Sequence, residues 1–343
     1  MRVRLRDVAD QAGVSVKTVS NVVNGYTHVS PAMRERVQRV LDETGYLPNL
    51  TARSLRAGRT GVIALALPEL GNPYFAELTR AVVREAEELG WTVLVDQTDG
   101  LRDRETVVTA GIRHHLIDGL ILSPVALDVA DLERRTPADI PLVLLGEKVD
   151  RGPADHVAID NVAASRAATE HLLGLGRRQV AAIGHQADSV AGSGVAHLRR
   201  QGWEEALRAA GLAPDERLLA EVSSFGREQG AAAMARLLDG SVPIDAVFCF
   251  NDTLALGALR ALADRGVRVP HDVAVIGLDD VEDSRFSVPT LSTVAPDKQA
   301  IARTAVRMLA ERLEPGGSAL APRNVRAGFT LVPRESSLGP AAR

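Results

Sequence analysis

Two groups of side chains in this 343-residue sequence have the types and spacing to do chemistry. The first lies in DVADQAGVSVKTVSNVVNG, Asp7 to Gly25, where Val16, Lys17, Thr18, Ser20, Asn21 and Asn24 offer short hydrogen-bonding groups and one cation. On a helix they share the face left over once Val19 and Val23 point inward. That inventory suits contact with base edges and phosphates in a DNA major groove. The second group is spread along the chain: Asn72, Tyr74, Phe75, Ser123, Arg199 ahead of a Gly-Trp pair, Phe225, Asn251, Asp252 and Asp279. Most follow short aliphatic runs, and in an open parallel sheet the strand carboxyl ends and the loops after them line a cleft. Carboxylates, a guanidinium and amides converging beside aromatic faces suit a polyol, through paired hydrogen bonds to adjacent hydroxyls and stacking on C–H faces.

Positioning the first group takes a small helical bundle. Val8 and Ala12 fall four apart on one face, Ala9 is small enough for close helix approach, and Gly13 stands where the chain must reverse. Ser15 precedes the second helix as its N-cap and is itself a candidate DNA contact. A third helix opens with Ser30 as cap and Pro31 at its first position, and Val37, Val40 and Leu41 give it an apolar face. An ordinary helical hairpin facing water is the plain alternative. Charge segregation weighs against it: residues 1–60 hold ten Lys/Arg and five Asp/Glu, a net of +5, which leaves −9 on the rest of a chain whose total is −4.

After the bundle, LPNLTARSLRAGRTG (47–61) reads either as a flexible linker or as a brief helix that folds on docking. In the second reading Asn49 caps it, Ala52 and Leu55 share one side, Arg53 and its neighbours meet phosphates, and Leu55 wedges between base steps in the minor groove.

The rest alternates aliphatic runs (61–68, 91–97, 119–125, 141–147, 179–185, 245–252 and 272–280) with amphipathic stretches such as 74–90 and 161–176. Unbroken aliphatic strands imply burial on both faces, hence parallel sheets flanked by helices. There are too many for one sheet, so the expectation is a small all-α head followed by an α/β core of two doubly wound lobes. The domains are a helix-turn-helix head at 1–48, a hinge at 49–60 and a core at 61–343.

Catalysis finds little support. The Gly pairs at 174–176 and 192–194 lack the dinucleotide fingerprint, and no phosphate-loop GK[ST] occurs. His114 and His115 are adjacent and diverge on a helix, and the single Cys249 sits in an aliphatic strand pattern as an inert thiol. Asp279-Asp280 with Glu282-Asp283 reads more simply as a strand end and solvated loop than as a catalytic pair. No metal or cofactor is expected. MRVRLRDVAD has no apolar leader core and no run is long enough to cross a bilayer, so the expectation is a cytoplasmic protein without membrane contact.

The motifs DVAxxAGVSxxTVSxVVNG, VSPxxRxRV and GYLPNxxARSL, taken together, resemble the head and hinge of the lactose/galactose repressor family of bacterial transcription regulators. The resemblance implies that Val16, Lys17 and Asn21 read bases and that Leu55 is the minor-groove leucine. It implies a homodimer on palindromic double-stranded operator DNA, controlled by a small-molecule effector, a carbohydrate. The core is expected to be similar to periplasmic sugar-binding proteins, with three crossings between lobes: lobe 1 at 61–161 and 291–322, lobe 2 at 162–290 and 323–343. Arg199, Asn251 and Asp279 would hold effector hydroxyls, and Phe75 and Phe225 would supply aromatic faces. One departure is Arg4, where the family usually has Thr; arginine cannot cap, so the first helix is expected to fray at its start. An exported sugar-binding protein would share the core but lack the head, and a sugar-handling enzyme would show turnover.

Overall fold

The computed structural model describes residues 3–23, 26, 28–46, 59–110, 116–134, 140–147, 152–187 and 193–339. The chain divides into two compact units, Met1–Thr60 and Gly61–Arg343.

The first unit contains α1 (Leu5–Ala12), α2 (Val16–Val23) and α3 (Pro31–Thr44). Val8, Ala9 and Ala12 of α1 meet Val19 and Val22 of α2 and Val37, Val40 and Leu41 of α3 in one buried cluster. Val22, three positions after Val19, takes the inner place expected of Val23, which is only half-buried; both offsets fall on one helical face. Gly13 closes α1 at φ 62°, in the left-handed region that glycine enters without a Cβ penalty. Arg36 of α3 donates through Nε to the Ala12 carbonyl (2.6 Å) and through Nη2 to that of Gly13 (2.9 Å), satisfying acceptors that the end of α1 leaves open. A Cβ on Gly13 would lie 2.8 Å from Arg36 Nη2 and would displace that guanidinium from the Gly13 carbonyl. The expected fraying at Arg4 is countered: the Asp7 carboxylate accepts the Arg4 backbone N–H at 2.8 Å, half of a capping box supplied by the third helical residue.

The second unit holds two six-stranded sheets. Sheet one comprises β1 (Val62–Leu67), β2 (Thr92–Gln97), β3 (Gly119–Leu122), β4 (Leu142–Leu145), β5 (Asp155–Ile159) and β11 (Asn324–Ala327), all parallel in the order β11-β5-β4-β3-β1-β2. Sheet two comprises β6 (Val180–His185), β7 (Leu219–Glu221), β8 (Ala246–Cys249), β9 (Ala274–Leu278), β10 (Ser292–Pro296) and β12 (Phe329–Val332), in the order β12-β10-β9-β8-β6-β7; only β12, against β10, runs antiparallel. The helices are α4 (Pro73–Glu88), α5 (Arg102–Thr109), α6 (Val129–Glu133), α7 (Asn161–Gly174), α8 (Ser193–Ala209), α9 (Arg227–Leu238), α10 (Asp252–Asp264), α11 (Asp283–Phe286), α12 (Lys298–Leu313) and α13 (Glu335–Leu338). Strands GLIL, LVLL and AVIGL are buried throughout, as helices on both faces require.

The expected lobe boundaries need correction. β10 pairs with β9 in sheet two, so 291–296 belongs to lobe 2, while β11 pairs with β5 in sheet one, so 324–327 belongs to lobe 1. α12 packs on α4, β3, β4 and β5, so the chain crosses between Pro296 and Lys298, and returns at Gly328. β11 is NVRA with an exposed-and-intermediate pattern, an edge strand without the apolar run by which its neighbours were recognised.

β5 escaped the same reading because it opens on a charge. Asp155 is fully buried, and its carboxylate accepts from Arg312 Nε (2.9 Å) and Nη2 (2.8 Å), the Arg323 backbone N–H (2.8 Å) and Arg323 Nη2 (2.8 Å). Burial alone would raise this carboxyl, but the hydrogen bonds from Arg312 and Arg323 hold it down at about 2. One side chain thus ties β5 to the end of α12 and the entry of β11. Asp155→Asn leaves two guanidinia poorly paired and should cost about 3–5 kcal/mol in urea unfolding. Because the folded-state pKa is depressed, this stabilisation is present above the ordinary value of 3.8 and lost as pH falls towards 2, so the wild-type and variant stabilities should converge in acid.

Candidate functional site

In the head, the sequence-named side chains of α2 stand as follows. Val16 and Lys17 are exposed, while Thr18, Ser20 and Asn21 are half-buried. Ser15 Oγ accepts the Thr18 backbone N–H at 3.1 Å and lies 2.9 Å from Thr18 Oγ1, so this pair also starts the helix. Arg34 donates to the Tyr26 carbonyl at 2.6 Å and holds the segment after α2 against α3. Asn24, Asn49, Ala52, Arg53 and Leu55 lie outside the described residues.

In the core, loops at the strand ends of both sheets enclose a cavity of about 130 Å³. Asn72, Tyr74 and Phe75 reach it from the start of α4, and Ser123 from the end of β3. From lobe 2 come Arg199 on α8, Phe225, Asn251 at the head of α10 and Asp279 after β9. These are eight of the nine residues named from the sequence.

Asp252 is the exception and a correction. Its carboxylate is buried inside lobe 2, accepting from Val281 N (3.0 Å), Ser284 Oγ (2.7 Å) and Thr293 Oγ1 (2.6 Å). As the first helical residue it turns back towards β9, where Gly277 leaves it room: a Cβ there would sit 2.2 Å from Asp252 Oδ1. Burial raises its pKa to about 6 against the pull of those three hydrogen bonds. Asn251 caps α10, accepting Leu254 N–H at 2.8 Å while its amide reaches the Phe225 carbonyl at 3.4 Å. Asn72 caps α4 in the same manner, accepting Tyr74 N–H at 3.1 Å.

Arg199 is buried and largely engaged: Nε donates to Asn161 Oδ1 at 2.8 Å and Nη1 to the Phe250 carbonyl. Asn161 in turn donates to Glu147. A polar chain therefore runs from Glu147 in lobe 1 through Asn161 to Arg199 in lobe 2. Asp279 is buried, yet its carboxylate takes no hydrogen bond from any described residue. Burial pushes it up to about 7; Arg199 and Lys298 pull it down, and Asp252 and Glu147 push it further up. Its backbone sits at φ 126°, a conformation costing an L-residue on the order of 1–3 kcal/mol. The Asp279 N–H bond to the Val294 carbonyl (2.8 Å) and the Lys298 Nζ bond to its own carbonyl (2.6 Å) hold it there. Tyr74 packs edge-on to Phe75 with centroids 5.3 Å apart. Burial, Asp279 and Glu147 keep its phenol protonated and a donor.

Glu147, Asn161, Glu77 and Lys298 were missed from the sequence. Glu147 ends the run PLVLLGE, so the strand-end rule was enough to find it. Glu77 and Lys298 are separated by 221 positions and gave no signal. Lys298 Nζ donates to Glu77 Oε2 (2.6 Å), to the carbonyls of Asp279 (2.6 Å) and Asp280 (3.0 Å), and lies 5.9 Å from the Tyr74 ring centroid. Glu77 Oε1 accepts the Glu282 N–H at 2.8 Å. This pair latches lobe 1 to the loop that carries Asp279. Among the described residues, no cluster of three or more potential metal ligands occurs and no helix is long and apolar enough to cross a membrane.

A helical head with an exposed second helix, joined to a two-lobed α/β core with a polar and aromatic cleft, defines a ligand-responsive regulator built on a periplasmic-binding-protein-like core. Residues 4–49 match the model of bacterial regulatory proteins, lacI family, and residues 169–337 that of the periplasmic binding protein-like domain. The HTH-type transcriptional regulator DegA of Bacillus subtilis is 34% identical over 86% of this chain and 87% of its own. The transcriptional regulator CelR–cellobiose complex superposes with a TM-score of 0.70 at 33% identity, covering 98% of this chain and 100% of that one. The lac repressor dimer bound to operator and the anti-inducer ONPF gives a TM-score of 0.84 at 29% identity, with the same coverage. The chain belongs to the lacI family of bacterial transcriptional regulators.

The latch makes a measurable contribution. Lys298→Met keeps the aliphatic stem but removes the charged hydrogen bonds, and should cost about 1.5–3 kcal/mol in urea unfolding. It should also move the Asp279 carboxyl further up, since Lys298 now pulls it down; a carboxyl-carbon NMR titration reads that shift.

Proposed function

We propose that this protein is a transcriptional repressor that binds a palindromic operator as a homodimer, with operator affinity set by a sugar bound between the lobes. The observation that carries this reading is one chain holding both an exposed recognition-type helix and a cleft whose buried carboxylate takes no donor from the described residues. Val16, Lys17 and Asn21 meet base edges, with Lys17 on guanine O6/N7 and Asn21 on an adenine. Ser15, Thr18, Ser20, Asn24 and Arg53 add polar and phosphate contacts, and Asn49, Ala52 and Leu55 form the hinge contact in the minor groove. Two copies double the contacts on a symmetric site.

In the cleft, Asp279 accepts two hydroxyls, Arg199 Nη2 and the amides of Asn72 and Asn251 donate, Ser123 adds a hydroxyl, and Tyr74, Phe75 and Phe225 stack on the ring. Sugar bound to both lobes favours one lobe arrangement, and a coupling of roughly 1–3 kcal/mol transmitted through residues 49–60 changes operator affinity about 5–150-fold. The fit of the cleft to binding rather than bond-breaking supports a non-enzymatic role, and DNA as partner supports residence in the cytoplasm. CelR, with cellobiose bound, and the lac repressor dimer, with operator bound, support the reading by analogy.

Lys17→Ala should relax preference at one base pair per half-site, at a cost of about 1–3 kcal/mol for the preferred base. A competition assay across operator variants reads it, and uniform weakening at every sequence would reassign Lys17 to phosphate. Asp279→Ala should abolish the sugar response in an operator-binding titration while leaving sugar-free affinity unchanged. The pH dependence has a definite sign. Hydroxyls donate to the ionised Asp279, so binding lowers its pKa from about 7 and releases a proton. Sugar affinity should therefore rise severalfold between about pH 6 and about pH 8, measured by calorimetry in two buffers of different ionisation heat. The charged groups facing Asp279 are Arg199, Lys298, Glu147 and Asp252.

A further inference from the structure

We propose, resting on the sugar reading above, that the cleft admits uncharged sugars and excludes their phosphorylated and carboxylated forms, with Glu147 setting that preference. The lining carries two carboxylates from opposite lobes, Glu147 and Asp279. Among the described residues, Asp279 receives no donor and Glu147 receives only the Asn161 amide, on one oxygen. Among the described residues, the two cations that face Asp279 are already engaged. Arg199 gives Nε and Nη1 to Asn161 and the Phe250 carbonyl, leaving Nη2, and Lys298 Nζ is held by Glu77 and two main-chain carbonyls.

Among the described residues, the site therefore needs donors and has no guanidinium fork free for an anion. A phosphate or uronate entering it would give up hydration without gaining a bidentate cation and would face like charge. A neutral hydroxyl loses little and donates to both carboxylates. Asp279 is the grip on the sugar. Glu147, already holding Asn161, contributes mainly charge, so it decides between neutral and anionic members of a pair.

The test is calorimetric titration of the full-length protein with a panel of neutral mono- and disaccharides, each paired with its 6-phosphate or uronic acid. At least one neutral sugar should bind, and its charged twin should bind about tenfold or more weakly. Glu147→Gln should narrow that gap to about threefold or less by strengthening the anion, and Glu147→Asp, which keeps the charge, should retain it. A charged twin that binds as tightly as the neutral sugar overturns the inference and leaves the sugar reading standing. A gap unchanged in Glu147→Gln overturns the role of Glu147. Binding by no member of either class removes the sugar reading itself, and this inference with it.

Discussion

The cleft is organised around the buried residue Asp279, whose carboxylate takes no hydrogen bond from any described residue. Burial raises the Asp279 carboxyl to about 7, no described residue donates to it, and its backbone is held at φ 126°. Strain of this kind persists only where the surroundings over-determine it. Here β10 takes the N–H of Asp279 and Lys298 takes its carbonyl, while the side chain is left facing the cleft. In the proposed function, this carboxylate is the acceptor that a sugar hydroxyl would meet.

Asp279 is mechanically connected. Lys298 opens α12, the first helix after the crossover from β10, and grips both Glu77 of lobe 1 and the loop of lobe 2 that carries Asp279. A second chain of hydrogen bonds, Glu147 to Asn161 to Arg199, crosses the cleft where β5 passes into α7. Polar bonds between lobes exchange readily with water or ligand, whereas each sheet is sealed by apolar side chains. In the proposed function, these polar contacts between the lobes are the ones a bound ligand would bias.

The head is held by a different logic. Its buried cluster is small, eight residues of mostly alanine and valine, so backbone termination matters more than bulk. Gly13 and Arg36 close α1, Asp7 compensates for Arg4, and Ser15 and Ser30 start the next two helices. Started by Ser15, α2 leaves Val16 and Lys17 exposed outside the core.

Local pattern alone determined the three helices, their caps and the seven aliphatic strands that became β1–β4, β6, β8 and β9, because periodicity and capping are properties of neighbouring residues. It also named eight cavity-lining positions, since strand ends predict cleft position in any open parallel sheet. Tertiary structure decided the rest. Asp155 disguised β5 until Arg312 and Arg323 arrived from more than 150 positions away, and the half-exposed edge strand β11 has no buried run to announce it. Asp252 and Asp279 look alike as acidic residues beside strand ends, yet one turns inward to three donors and the other takes none from the described residues. The Glu77–Lys298 latch is invisible along the chain because charge pairing is set by distance in space, which only the folded arrangement of the two sheets establishes.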